Sequence, residues 1–356
     1  MIAFMARIGQ IARSVARRIP PALLRHAGRP AAVHFHGVEP DPADPLVRAN
    51  HHDRDTFVRI AKALKHNFQV LPLTAIGDVL KRPERHSRSV FLMSDDGYAN
   101  TLSLAADILE ELQLPWTLFV STHHIDTGAR NPSFLLRLFF NFAPEGRYAF
   151  LPLEPFDLVH AAREQLCEAA TARLRNMDAM VAEQVVAAMM DVFAPQERDA
   201  LLKRFSSETF LSWDQVRTLD RRGVEIGAHA HWHWAMNDAQ DAETLLQQAR
   251  KPRLRIEAEI GRCRFFAFPF GNIGDVSSAA WQAVRDTGYD YAFTTLSGTL
   301  DASANPFLMP RYGIGPHDIE IASLVPLLSA GNRRLVRWQE SLAEALPRSE
   351  ARHAAE

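Results

Sequence analysis

Residues 90–97 read Val-Phe-Leu-Met-Ser-Asp-Asp-Gly (VFLMSDDG), an apolar run that stops on two neighbouring carboxylates and a glycine. The run has the composition of a buried strand, and Asp-Asp-Gly favours a loop over a helix. Adjacent carboxylates repel one another unless something stabilises them, and a metal cation does so. One aspartate can then ligate the ion while its neighbour acts as base on a water that the ion holds. A solvated Asp-Asp-Gly turn is the plain alternative, and the rest of the chain has to decide between them.

Similar β-rich runs flank this one. They cover 31–36 (AAVHFH), 68–73 (FQVLPL), 116–121 (WTLFVS), 224–228 (VEIGA), 265–270 (FFAFPF) and 289–294 (YDYAFT). Helical patterns lie between most of them, at 55–66, 101–113, 212–222, 240–260 and 277–287. Strands alternating with helices predict parallel βαβ units, in a barrel or an open doubly wound sheet. Residues 131–211 break the alternation: they contain no clear strand, and 158–192 reads as one or two helices. This region is expected to be a helical insertion between the fourth and fifth strands, forming a lid or wall over the site. The expected organisation is an N-terminal segment 1–30, a main domain 31–330 and a C-terminal helix with a polar tail, 331–356.

Histidine carries the next signal. Nine of the fifteen fall in four clusters, His34/His36, His51/His52, His123/His124 and His229/His231/His233, most of them at or just beyond a predicted strand end. Ligands and catalytic groups gather at the C-terminal ends of parallel strands. In Gly-Ala-His-Ala-His-Trp-His (227–233), a helical turn would put His229 and His233 on one face, and an extended chain would align all three histidines. Either geometry gathers imidazoles, the commonest metal ligands. Asp96 with His229 and His233 makes a two-His, one-carboxylate set with open positions, as a catalytic Zn²⁺ or Fe²⁺ site requires. A third feature, Phe265-Phe266-Ala267-Phe268-Pro269-Phe270-Gly271-Asn272, reads as a buried strand and turn whose backbone N–H groups can bind an oxyanion.

Composition removes several classes. The 356 residues carry 40 basic and 42 acidic side chains, a formal charge of −2, without the basic excess of a nucleic-acid binder. Two cysteines, Cys167 and Cys263, exclude a disulfide framework and a cysteine-built zinc site. No run is long and apolar enough for a membrane span, and no h-region of a cleavable signal peptide is evident. Met1 to Val38 holds six arginines and no acid, with Ile2, Met5, Ile8, Ile11, Val15 and Ile19 at helical spacing. Residues 1–19 can make a peripheral contact with an anionic membrane, or pack on the domain with a solvated basic face. The expected location is cytoplasmic, with or without that membrane association.

SDDGY, EIGAHAHWH and FFAFPFGN, in this order, resemble the polysaccharide deacetylase family with the NodB homology domain (carbohydrate esterase family 4). VHFHGV, FLSWDQVRTLDRRGVEIGAH and GYDYAFTT extend the resemblance from about Ala31 to about Arg311. It implies a distorted (β/α)7 barrel and hydrolysis of an N- or O-acetyl group on a glycan; the basic N-terminal segment would suit a lipid-linked sugar as that substrate. It further implies Asp95 as general base and Asp96, His229 and His233 as ligands of a divalent metal, usually Zn²⁺. Phe270 and Tyr98 are the candidates on the substrate and oxyanion side. The chain departs from the pattern at Ala230, where Ser or Thr usually follows the first metal histidine. It departs again at Ala267, where an Arg often pairs with the base, and Arg311 is the candidate replacement. The family's late histidine acid has no clear match; His36, His231 and His317 are candidates, and His36 joins Asp95 and Arg311 in the expected catalytic set. Two other readings remain at this point. His34-Phe35-His36 resembles the HxH metal pair of amidohydrolase-type barrels, and a carbohydrate-binding relative without turnover would keep the same fold.

Overall fold

The computed structural model describes residues 29–40, 44–300 and 305–315. The basic segment 1–19, most of the expected unit 1–30, His317 and the C-terminal unit 331–356 lie outside the described residues. Eight strands make the main sheet: β1 (Ala31–Phe35), β2 (Gln69–Val70), β3 (Ser89–Ser94), β4 (Thr117–Val120), β5 (Glu225–Ala228), β6 (Phe265–Ala267), β7 (Tyr291–Phe293) and β8 (Tyr312–Gly313). The principal helices are α1 (Arg54–Asn67), α2 (Ala106–Glu111), α3 (Pro132–Phe142), α4 (Arg163–Arg175), α5 (Ala179–Met190), α6 (Pro195–Arg204), α7 (Trp213–Arg221), α8 (Ala242–Ile260) and α9 (Ser278–Thr287).

Every pairing in the main sheet is parallel, in the order β7-β6-β5-β4-β3-β1-β8, with β2 beside the start of β3. Tyr312 of β8 pairs with Val33, and Met309, just upstream, bridges to Phe293 at the far end of the sheet. One short segment thus touches both edges and closes a distorted barrel. The seven expected strands are present; the eighth is too short to have left a pattern in the sequence.

Successive side chains on a strand point to opposite faces. Ala32, Phe91, Met93, Phe119, Phe265, Ala267 and Phe293 pack against one another and fill the barrel. Their neighbours Val33, Phe35, Leu92, Leu118, Val120, Ile226 and Phe266 pack outward on Ile60 and Leu64 of α1, Leu109 of α2, Val216 and Leu219 of α7, Leu245 of α8 and Val284 of α9. Burial on both faces explains the unbroken apolar runs, each large side chain contributing about 1.5–3 kcal/mol. The helix expected over 101–113 is divided, with a π-helical turn at Thr101–Ala105 before α2.

The insertion between β4 and β5 holds α3 to α6. It also holds an antiparallel hairpin, Gly146–Tyr148 with Phe156–Leu158, which corrects the expectation that 131–211 has no strand. Gly-Arg-Tyr and Phe-Asp-Leu are too short and too exposed to show alternation. The insertion has its own core, including Phe134, Phe139, Phe140, Leu174, Val185, Met189 and Phe205, which also takes in Leu46, Val47 and Trp234. Trp234 directly follows His233, so the insertion is seated on the loop that leaves β5. Among the described residues no helix is long and apolar enough to cross a membrane.

Candidate metal centre at the barrel mouth

Two loops at the C-terminal ends of β3 and β5 build the site. Asp95 continues the β1 pairing through its N–H to Phe35 O (3.0 Å), and Ser94 Oγ donates to His36 O (2.9 Å). Asp96 (φ 75°) and Gly97 (φ 85°) then reverse the chain in the left-handed region. A Cβ on Gly97 would also come within 3.0 Å of Val120 Cγ1, so glycine is needed there twice over. After β5, His229 N–H bonds Val120 O (2.8 Å), and Gln248 Oε1 accepts from His231 N (3.2 Å) and Trp232 N (3.0 Å). Ala230 (φ 58°) and His233 (φ 59°) make this loop neither helical nor extended. His231 accordingly turns away, its Nδ1 2.8 Å from Thr122 Oγ1, while His229 and His233 face Asp96. Among the described residues five non-glycine residues have positive φ, and four of them, Asp96, Ala230, His233 and Phe270, lie in the site loops. At about 1–2 kcal/mol each, such strain persists only where surrounding contacts over-determine it.

Asp96, His229 and His233 can hold a metal ion. Asp96 Oδ1 is 2.9 Å from His233 Nε2 and 3.3 Å from His229 Nε2, and one ligand atom from each residue lies within 4.8 Å of the others. Tetrahedral Zn²⁺ with bonds near 2.0–2.1 Å separates its ligands by about 3.3 Å, so the spacing fits. His229 Nδ1 lies 2.8 Å from Ala267 O; donation there leaves Nε2 as a lone-pair ligand. The amide of Asn131, the N-cap of α3, lies 3.4 Å from His233 Nδ1, so the insertion reaches a candidate ligand directly. All three candidate ligands are buried. Burial alone would push the Asp96 carboxyl up, but His233 and His229 outweigh it and hold it well below the usual range.

Asp95 is dressed differently. Arg311, fully buried between β7 and β8, donates from Nη1 to Oδ1 (2.7 Å) and from Nη2 to Oδ2 (2.8 Å), and its Nε bonds Thr294 O (3.0 Å). The cation absent at Ala267 is therefore supplied from the end of the chain's barrel. Burial works to raise the Asp95 carboxyl, and Arg311, His229 and His34 together hold it well below the usual range. His34 Nδ1 is 3.3 Å from Asp95 Oδ2 without the alignment of a hydrogen bond. His34, His36 and Asp95 form a second group close enough for an ion, but Arg311 already occupies both oxygens of Asp95.

The remaining candidates are spread around this centre. His36 is half-buried at the end of β1, its ring 5.6 Å from that of His34. Phe270 (φ 58°) sits in the loop after β6, its ring 5.4 Å from His233. Tyr98 is not on the open side: it is fully buried, stacked 5.2 Å from Phe210, and its hydroxyl accepts from Asn50 Nδ2 (3.1 Å). Its motif position identified the loop but not the direction of the ring. Sequence reasoning missed Asn131 and Arg175, which arrive from the insertion. Asn131-Pro132 is a legible helix start, but nothing local says that its amide meets His233.

The sequence matches the polysaccharide deacetylase family over residues 82–292, more than half of the chain. No curated protein matches it. Among solved structures it is similar to a Streptococcus pyogenes deacetylase, PplD, in complex with acetate: TM-score 0.54, 13% identity, covering 81% of this chain and 93% of that one. It is also similar to IcaB from Ammonifex degensii, with TM-score 0.54, 13% identity, and 84% and 97% of the two chains covered. A polysaccharide deacetylase from Bacillus cereus aligns at TM-score 0.52 and 14% identity over 83% of this chain and 69% of its own. Identities this low speak for the fold alone; the family rests on the sequence match over residues 82–292. On that match, the chain belongs to the polysaccharide deacetylase family.

Proposed function

We propose that this chain is a metal-dependent hydrolase that removes N- or O-acetyl groups from a glycan polymer or a lipid-linked sugar. Asp96, His229 and His233 hold a divalent ion, for which two imidazoles and a carboxylate suit Zn²⁺. The observation that carries this reading is the contrast between adjacent carboxylates: Asp96 faces two imidazole nitrogens, and Asp95 faces an arginine. A Lewis acid for the acetyl carbonyl and a more acidic water are what a bound ion supplies there. Asp95 accepts the proton of the attacking water at a carboxylate oxygen, with its plane fixed by the two bonds from Arg311. The Phe270 backbone N–H stabilises the oxyanion. His36 protonates the leaving amine or alcohol, giving acetate and the deacetylated sugar. Tyr98, with Asn50, braces the Asp95–Gly97 loop from behind instead of touching substrate.

The test is acetate release from N-acetylated oligosaccharides, O-acetylated glycans and a lipid-linked N-acetyl sugar, before and after chelation and Zn²⁺ reloading. Release that needs the metal and disappears in Asp95→Asn supports the reading. Absence of release from every class by fully loaded protein contradicts it. Peripheral membrane contact through residues 1–19 belongs to the same reading, and vesicle co-sedimentation unchanged by deleting residues 1–30 would remove it.

A further inference from the structure

Arg175 is the last residue of α4, more than fifty residues from either site loop in sequence, yet it lies on the loop proposed to hold the oxyanion. Its guanidinium carbon is 4.4 Å from the Phe270 ring centroid, and its Nη2 pairs with Asp275 Oδ2. That same oxygen accepts the Asn272 N–H (3.0 Å), so one buried carboxylate joins Arg175 to the turn after Phe270. The helix end that presents Arg175 is itself anchored to the barrel. Asn237 Nδ2 donates to Arg175 O (2.8 Å), Gln240 Nε2 donates to Met177 O (3.0 Å), and Gln240 Oε1 accepts from Ala179 N (3.0 Å).

Phe270 needs such support. It is a bulky residue in the left-handed region, followed by Gly271 (φ 61°), and its ring meets His233 on one side and Arg175 on another. A strained turn keeps its conformation only when neighbours leave it no alternative. Removing the guanidinium frees the ring and takes the cation from Asp275 together.

We infer that Arg175 is a positioning residue through which the 131–211 insertion holds the Phe270–Asn272 turn in the geometry that the Phe270 backbone N–H needs for the acetyl oxyanion. The inference deepens the deacetylase reading and rests on it for the oxyanion. The clamp itself is a separate, physical claim. A displacement of about 1 Å in an oxyanion donor is enough to cost on the order of 100-fold in rate.

The experiment compares Arg175→Met, Arg175→Lys and Asp275→Asn with the unaltered full chain. Steady-state kinetics, bound metal and amide hydrogen exchange are read on each. Arg175→Met should lower kcat about 10- to 100-fold with KM within about 2-fold and metal content unchanged. Exchange at 270–275 should rise about 10-fold, and Asp275→Asn should give the same local signature. Arg175→Lys, which keeps the cation but not the planar fork, should fall between. Unaltered exchange at 270–275 in both Arg175→Met and Asp275→Asn overturns the clamp. So does faster exchange throughout α4 with the turn still protected, since that marks a role in folding the insertion alone. If the unaltered protein releases no acetate while the exchange result holds, it is the deacetylase reading that fails and the clamp that stands.

Discussion

Asp95 and Asp96 are neighbours in the chain and opposites in surroundings. Asp95 keeps an ordinary backbone and is gripped by Arg311 through both oxygens. Asp96 sits at φ 75° and offers one oxygen to two imidazoles. Both carboxyls are buried and both are held well below their usual range, yet by different partners. A permanent cation cannot be exchanged, so Arg311 makes Asp95 a fixed anion. The imidazole pair can offer ring-nitrogen lone pairs to an incoming ion, so Asp96 belongs to a group that can load and unload. One reversal of the chain, at Asp96-Gly97, separates the two jobs.

The sharpest way to break this contrast is Arg311→Met. It leaves Asp95 buried without its cation, and breaking a buried pair in this way costs about 3–5 kcal/mol. Urea unfolding should show that loss, while the folded fraction still binds metal at Asp96. Equal loss of metal in the folded fraction would mean the two sides are one unit.

Acid titration of chelator-stripped protein sharpens the comparison in two stages. Burial lowers His34 and His51 to about 4 from 6.5. Between those values the unfolded chain binds protons that the folded chain does not, so stability falls as pH drops below about 6.5, by on the order of 3 kcal/mol for each group. Asp95 and Asp96 have folded values below the unfolded one of about 3.9. Their contribution is complete above that value and is lost as pH falls through the folded values. Thermal melts from pH 7 to 3 should therefore decline first near pH 6 and again below about 4. A flat profile down to pH 4 would show that the histidines are not buried in neutral form.

The smallest effect is expected at Asn131→Ala. The atom nearest His233 Nδ1 is the Asn131 amide nitrogen, whose oxygen already caps Ser133 N, so it cannot accept the Nδ1–H of a histidine that holds an ion through Nε2. Asn131→Ala should therefore lower metal affinity through lost packing alone, by less than the roughly 10-fold expected for an orienting hydrogen bond. Chelator competition reads it, and the Asp95–Arg311 side should not respond. No change in affinity would leave Asn131 as a helix cap and nothing more.

The barrel was legible in the sequence because β3 and its neighbours are buried on both faces, which makes runs such as VFLM continuous. Asp96, His229 and His233 were legible as a group because parallel strands bring their C-terminal ends together. What local sequence could not give is direction. His231 swings to Thr122 and Tyr98 turns into the wall because Ala230, His233 and Asp96 take left-handed conformations that tertiary contacts impose. Arg311 was a candidate partner for Asp95 only through the family resemblance, which left a cation missing at Ala267, and its two bonds depend on the segment that closes the barrel. Arg175 had no signal and Asn131 signalled only a helix start, since the contacts of both depend on an insertion whose packing no local pattern reports.

The most direct measurement is metal content beside acetate release for Asp95→Asn and Asp96→Asn, purified identically and reloaded with Zn²⁺. The account predicts that Asp95→Asn keeps one equivalent of metal and loses turnover, whereas Asp96→Asn loses both. Full metal in Asp96→Asn, or a metal-free Asp95→Asn, would contradict it.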